Sequence, residues 1–274
     1  PAHLSILEPA MIAIYAAAMT EPNDPQPAAP ARPVTAVSRA ATILRYLGRS
    51  QEPLGVSRIA RDLELIPSTA LNILRTLVHE DLVVFEPNTK RYSLGIGILG
   101  IARDMLGGSD FVQAMQSHLE NIAATFDVAA IAVELDSHEH MVVVALARPR
   151  LNLSIHVNIG SQFPALISAT GRCVAAQRGW DRQRLARSFE ALRWQNPPAF
   201  ETWLDEIEAA RRDGYAIDDG NYIRGIVIIA APISQSAGAP SRAVVAVGLA
   251  AQLDDGQRQA LARRLRAVVD GLAD

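Results

Sequence analysis

The stretch that decides the fold is 59–83, IARDLELIPSTALNILRTLVHEDLV. Its apolar residues fall at helical spacing twice, with one interruption. Ile59, Ala60 and Leu63 form the inner face of a short helix opened by Gly55 or Val56. The turn Glu64-Leu65-Ile66 follows. Pro67 then starts a second helix at the position where a missing N–H costs nothing. In this helix, 67–80, Ala70, Ile73, Leu74 and Leu77 face inward and leave Ser68, Thr69, Asn72 and Arg75 outward. Upstream, Val37, Ala40, Ala41, Leu44 and Leu47 recur at helical spacing from Thr35 until Gly48 and Gln51-Glu52-Pro53 stop the pattern. Downstream, LVVFE (82–86) and RYSL (91–94) are strand-like and joined by the turn chemistry of Pro87-Asn88-Thr89-Lys90. Helix, helix, turn, helix and hairpin is the order of a winged helix-turn-helix over 35–95. Lys90 and Arg91 at the wing tip suit phosphate contact and are poor choices for a buried strand.

A linker helix is expected over 96–109. Ile98, Ile101, Ala102 and Met105 make an apolar stripe that one small domain cannot fully cover, which marks it as the self-association element. Gly107-Gly108 closes it. Beyond lies a second domain, 110–274. Asp110 caps the helix FVQAMQSHLENIAATF, strands follow at 128–136, 140–147 and 153–157, and a small-residue helix runs over 168–178. A helix from about Ala199 to Arg212, the strands YAID, IVIIAAPI and AVVAVGLA, and a last helix over 255–270 complete the pattern. Hairpins alternating with helices imply an α+β domain with a mainly antiparallel sheet.

The chain has 274 residues and a net charge of -3, with 49% hydrophobic and 20% charged residues. That composition speaks for globular domains and against extended disorder, collagen or coiled coil. The charge is unevenly spread. Residues 36–106 hold nine basic and seven acidic side chains, +2 in all, and the remainder carries -5. One such module is too weakly positive to hold DNA tightly by itself, so a dimer or tetramer is expected. Cys173 is the sole cysteine, which fits a reducing, cytoplasmic setting. The apolar run between Met11 and Met19 is too short to cross a bilayer, so no membrane association is expected. The proline- and alanine-rich residues 21–33 read as a tether. Residues 1–34 are expected to be a flexible extension, with Met19 a candidate start and 1–18 lying upstream of it.

Three stretches together resemble the IclR-type bacterial transcriptional regulators: the winged helix-turn-helix ending in RYSLG, then GSQFPALISATGR (160–172), then RRDGYAIDDGNYIRGIVIIAAPI (211–233). The resemblance covers about 36–271. It implies a C-terminal effector-binding domain related in fold to GAF modules, usual assembly as dimers or tetramers, and a small metabolite that changes operator affinity. The implied function is a ligand-responsive regulator, repressor or activator, of a catabolic operon, not an enzyme and without a cofactor. Its partners would be double-stranded operator DNA, a small organic effector and further copies of itself.

DNA contact is expected at Ser57, Arg58, Ser68, Thr69, Asn72, Arg75, Lys90 and Arg91. Asn72 would read adenine, and Arg75 guanine or phosphate. Where the family commonly has lysine before Ser-Thr and His-Arg after it, this chain has Pro67, Leu71 and Asn72, so its operator preference should differ. By motif position, the effector residues carry over to Ala169, Thr170, Asp218, Ile228, Gly248 and Ala250. Only Thr170 and Asp218 among these are polar, which favours an aromatic or longer organic compound over a two-carbon acid.

Competing readings stay open at several places. His138-Glu139-His140 is either a metal site or a hydrated hairpin tip. Cys173 with His156 is either a nucleophile pair or packing. Ser68-Thr69 either caps the helix or touches DNA. Asp218-Asp219 is either just a polar loop end or gives Asp218 a ligand or backbone-organising role, and Arg263, Arg264 and Arg266 form a solvated helix face. The alternative function is a GAF-like metabolite-binding protein or enzyme whose helix-turn-helix serves only protein contacts. No convincing nucleophile–base or metal set supports it, so no catalytic or metal residue is assigned.

Overall fold

A computed structural model describes residues 34–107, 110–149, 157–235 and 238–272. The extension before Val34, the strand expected at 153–157 (save Val157), His156 and Gly108 lie outside the described residues, as do the side chains of Met105 and Asp110. The chain divides into two compact units at Ser109/Asp110.

The first unit is a winged helix-turn-helix. It comprises α1 (Thr35–Arg49), β1 (Leu54–Gly55), α2 (Val56–Asp62), α3 (Pro67–His79), β2 (Val83–Glu86), β3 (Arg91–Leu94) and α4 (Gly97–Gly107). Three antiparallel strands in the order β1-β3-β2 back the helices, with Tyr92 opposite both Leu54 and Phe85. Ile43, Leu47, Leu54, Ile59, Leu74, Leu77, Val83 and Tyr92 form its core. The buried stripe of α1 is thus Ile43 and Leu47, while Val37 is 66% exposed because the first turn of α1 runs past this small core. The turn between α2 and α3 is fixed by the Leu65 N–H donating to the Ala60 carbonyl at 2.8 Å, with Glu64 in the left-handed region at φ 53°. Gly95 is obligatory, since a Cβ there would lie 2.2 Å from the Asp81 carbonyl oxygen. Along α4, Ile98 and Ala102 are half-buried and Leu99 and Ile101 exposed, as is Ile96 just before it.

The second unit runs α5 (Asp110–Phe126), β4 (Ala129–Leu135), β5 (His140–Ala147), β6 (Gln162–Pro164), α6 (Ser168–Arg178), α7 (Arg182–Ala191), α8 (Phe200–Asp213), β7 (Ala216–Asp219), β8 (Ile226–Gln235), β9 (Gly238–Leu249) and α9 (Asp255–Asp270). Among the described residues, six antiparallel strands are ordered β6-β5-β4-β9-β8-β7. Alternate residues such as Ile131, Val133, Ile228, Ala230, Val245 and Val247 pack with α6 and α8 in one core. The residues between them, including Ala130, Ala132, Ile229, Val244 and Ala246, are also buried and point to the other face, where α5 and α9 pack. Burial on both faces explains why IVIIAA and AVVAV are continuous apolar runs rather than alternating ones. The start of α9 is fixed by a capping box between Asp254 and Gln257.

The α+β reading agrees with this architecture. The helix α7 and the short strand β6 have no counterpart in the sequence reading. In α7 only Leu185 is buried, so no apolar period announces it. Its start is set by Asp181, whose carboxylate accepts from the Arg184 N–H at 2.8 Å.

Candidate functional site

In the first unit, Ile66 is extended and Pro67 begins α3 with no side-chain cap. Ser68, Asn72 and Arg75 follow at helical spacing and are exposed, while Thr69 and Leu71 are half-buried. A groove of about 510 Å³ separates α3 from the wing. Leu71, Val78, Phe85 and Tyr92 line it as an apolar floor, and Arg75 and Lys90 line it with charge. The two cations therefore come from different elements to one concavity. Neither has a carboxylate partner among the described residues. Lys90 is held in the left-handed region at φ 55°, its N–H donating to the Glu86 carbonyl at 2.8 Å. Thr89 Oγ1 closes the same turn by donating to the Glu86 carboxylate at 2.6 Å. Ser57 and Arg58 are exposed on the first turn of α2. Unlike Arg75, Arg58 and Arg91 are already in ion pairs with Glu52, at 3.3 and 3.8 Å.

In the second unit, a cavity of about 30 Å³ lies between the sheet and the start of α6. Its lining is Ile131, Val157, Phe163, Ser168, Thr170, Tyr222, Ile228, Val245 and Val247. Ser168, the buried first residue of α6, has φ 57° although it is not glycine, a backbone strain that clusters at functional positions. The first bond of α6 is from the Gly171 N–H to the Ile167 carbonyl at 2.9 Å, so the N–H groups ahead of it sit at the helix start beside the cavity. Gly171 permits this geometry, because a Cβ would fall 1.9 Å from the Leu166 carbonyl oxygen. Thr170 is wholly buried, and its hydroxyl has no hydrogen-bond partner among the described residues. Such a group costs about 1–3 kcal/mol unless something satisfies it. Burial, followed by the nearby charge of Asp218, pushes the Tyr222 phenol up to about 12, so its hydroxyl stays protonated.

Of the six expected effector residues, the structure brings Thr170 and Ile228 to this cavity. Asp218 is buried but committed elsewhere. Its carboxylate pairs with Arg172 Nη1 at 3.1 Å and accepts from the N–H groups of Asn221 and Tyr222 at 3.0 and 3.3 Å. Burial raises its pKa, opposed by the Arg172 charge and these bonds. Arg172 is itself 1% exposed, donates to Glu206 at 2.6 Å and to Asn221 Oδ1 at 2.9 Å, and lies 5.9 Å from the Trp194 ring centre. The pair thus shapes the turn that carries Tyr222. Ala169 packs in the core. Gly248 faces away from the cavity, toward Val128 and Leu253, and Ala250 sits in a short 3-10 turn with its N–H bonded to the Gly225 carbonyl at 2.8 Å. The pairing Ile228↔Val247 puts Val245 and Val247 at the cavity instead. Ser168, Tyr222, Phe163 and Arg172 are absent from the sequence-based set. The available signal was that all four lie within the stretches 160–172 and 211–233 that carry the family resemblance.

The other sharp readings also find places. Asp136 accepts from the N–H groups of His138 and His140 at 2.8 Å each, and Glu139 pairs with Arg184. Among the described residues no cluster of three metal-ligating side chains exists. Cys173 is buried, donates to the Ala230 carbonyl at 3.4 Å, and burial pushes its thiol up to about 12. A thiol so protonated is no nucleophile at neutral pH. Arg264 and Arg266 lie on an exposed face and donate to partners on other helices, Asn121 Oδ1 at 3.1 Å and the Asp213 carbonyl at 2.6 Å. No helix among the described residues is long and apolar enough to cross a membrane.

Comparison with known proteins adds a lineage to this geometry. The family model of the bacterial transcriptional regulator IclR C-terminal domain matches residues 104–273, and that of the IclR helix-turn-helix domain matches 36–87. The glycerol operon regulatory protein of Streptomyces coelicolor is 30% identical over 236 residues, which is 81% of this chain and 88% of the relative. The HTH-type transcriptional repressor AllR of Escherichia coli is 21% identical over 223 residues, 80% of this chain and 82% of that one. Among solved structures, the IclR transcriptional regulator of Alicyclobacillus acidocaldarius superposes with a TM-score of 0.79 at 23% identity, covering 88% of this chain and 98% of its own. An IclR homologue of Microbacterium hydrocarbonoxydans complexed with 4-hydroxybenzoate has a TM-score of 0.68 at 18% identity, with 86% and 97% covered.

Proposed function

The chain belongs to the IclR family of bacterial transcriptional regulators, and from that premise we propose how its two units divide the work. The first unit binds a double-stranded operator, with α3 in the major groove and the wing on phosphates. Asn72 and Arg75 reach base edges, Ser68 and Thr69 support the entry of the helix, and Lys90, Arg91, Ser57 and Arg58 contact the backbone. The observation that carries this reading is the convergence of Arg75 and Lys90, both without a carboxylate partner among the described residues, on the groove between helix and wing. The second unit holds a small organic effector over the start of α6. Thr170 Oγ1, Ser168 and Tyr222 supply the polar contacts, and Ile131, Phe163, Ile228, Val245 and Val247 supply an apolar wall. That mix fits an aromatic acid or phenol, and 4-hydroxybenzoate, held by one structural neighbour, is the first compound to try. A cavity of about 30 Å³ is far below the roughly 300–1,000 Å³ of occupied ligand sites, so binding has to open the wall.

Self-association supplies the phosphate contacts that one module lacks. Exposed Ile96, Leu99 and Ile101 offer the apolar surface for it. The effector then acts by altering the spacing of paired recognition helices, in a cytoplasmic protein that catalyses no reaction. A gel-shift series on DNA upstream of the gene tests the operator half. Specific, salt-sensitive retention is expected, and Arg75→Ala should weaken it by about 1–3 kcal/mol. Equal binding by that variant would mean that a different helix face reads the DNA.

A further inference from the structure

The turn Ser50–Pro53 enters β1 and is pinned by its own side chain. Ser50 Oγ donates to the Glu52 carbonyl at 2.6 Å and accepts from the Glu52 N–H at 3.4 Å. From this fixed backbone the Glu52 carboxylate reaches two arginines on different elements. Oε1 lies 3.3 Å from Arg58 Nη1 on α2, and Oε2 lies 3.8 Å from Arg91 Nη1 on β3. Arg91 is steadied further by donating to the Pro53 carbonyl at 3.3 Å, and Arg58 by Asp62 at 3.6 Å. One carboxylate between two guanidiniums is the arrangement a DNA phosphate would make with the same side chains. The three side chains are 61%, 52% and 49% exposed, so a phosphate can reach them and the pairs are weak in water.

We propose that Glu52 is a positioning residue that sets operator affinity from within the DNA-binding unit: its carboxylate holds Arg58 and Arg91 in place of a phosphate, and DNA must displace it. The inference rests on the operator reading above and adds a residue to it that no family motif supplied. Arginines already neutralised by Glu52 release fewer of the cations condensed on the DNA, so they contribute less than two full phosphate contacts to the salt dependence. Glu52 thereby restrains sequence-independent binding while leaving the base-reading residues untouched.

The test is the salt dependence of DNA affinity for the full chain and its Glu52→Gln variant, on the operator and on unrelated duplex of equal length. Glu52→Gln should bind both duplexes about 3–10-fold more tightly, with a log–log salt slope steeper by roughly one to two, at about 0.9 per added phosphate contact. Adding Arg58→Ala and Arg91→Ala to that variant should return the slope to the wild-type value or below. Glu80→Gln, which removes the same charge at the far end of α3, should change neither quantity by as much. Urea unfolding of each variant checks that the unit is folded. An unchanged slope in Glu52→Gln, an equal effect of Glu80→Gln, or weaker binding by Glu52→Gln would each overturn the proposal while specific retention by the wild type left the operator reading standing. Absence of specific retention in the wild type would remove both.

Discussion

Replacing Arg172 by methionine tests the buried pair that shapes the effector unit. Arg172 is 1% exposed and Asp218 is fully buried, and the guanidinium gives one hydrogen bond each to Glu206, Asp218 and Asn221. Methionine fills most of the same space without charge. Asp218 would keep its two backbone N–H donors and lose the only cation that faces it among the described residues. Removing one member of a buried pair costs about 3–5 kcal/mol, because the other charge stays buried and uncompensated. For a unit of this size that corresponds to a fall in Tm of roughly 6–20 °C. Urea unfolding followed by tryptophan fluorescence is the assay. Trp180, Trp194 and Trp203 all lie in the second unit, and Trp194 sits beside Arg172. Adding Asp218→Asn should restore much of the loss. The two variants should also converge as pH falls. The Asp218 pKa is raised by burial already in the wild type. Without Arg172 it rises further, so the penalty is absent below the ordinary carboxylate range and grows as pH climbs through the folded value. A single variant within 1 kcal/mol of wild type, or a double variant no more stable than the single one at pH 7, would refute the buried-charge argument.

Three further outcomes follow from the same geometry. Thr170→Val removes an orphaned hydroxyl without changing shape, so the ligand-free protein should gain about 1–2 kcal/mol in urea unfolding while its response to a polar aromatic effector falls. A loss of stability with the response unchanged would place the effector elsewhere. Gly171→Ala drives a Cβ into the Leu166 carbonyl and should leave the second unit unfolded or displaced, visible as loss of the cooperative fluorescence transition. Cys173, with its thiol pushed up to about 12, should resist alkylation at pH 8 in the native protein and react once urea unfolds it. Fast labelling of the folded protein would contradict its burial.

The winged module was legible because its signals are local. Pro67 at a helix start, the turn residues 87–90 and the helical spacing of Ile59, Leu74 and Leu77 each state their own conformation, and the structure follows them. The effector cavity was legible only in part. Thr170 and Ile228 came through motif position. Gly248 did not, because a strand read from sequence has known composition but unknown register. The pairing with β8 assigns Val247 to the cavity and Gly248 to the opposite face, and a slip of one residue reverses every such assignment. In β8 and β9 both faces are buried, so the sequence lacks the alternation that would have given the register away. Asp218 shows the same limit in electrostatic form. Its acidity and its motif position suggested a ligand contact, but Arg172, 46 residues away in the chain, meets it in the core and turns it to structural use.

The sequence alone therefore determined most of the element types and the division of charge between the two halves, since each is read from residues a few positions apart. Tertiary structure alone decided which polar groups are spent on one another and which are left over. Arg58, Arg91 and Asp218 are spent on Glu52 and Arg172, while Arg75, Lys90 and the Thr170 hydroxyl have no such partner among the described residues. The reason is physical: a charge or hydroxyl is satisfied by whatever lies within about 3 Å in space, and distance along the chain says nothing about that.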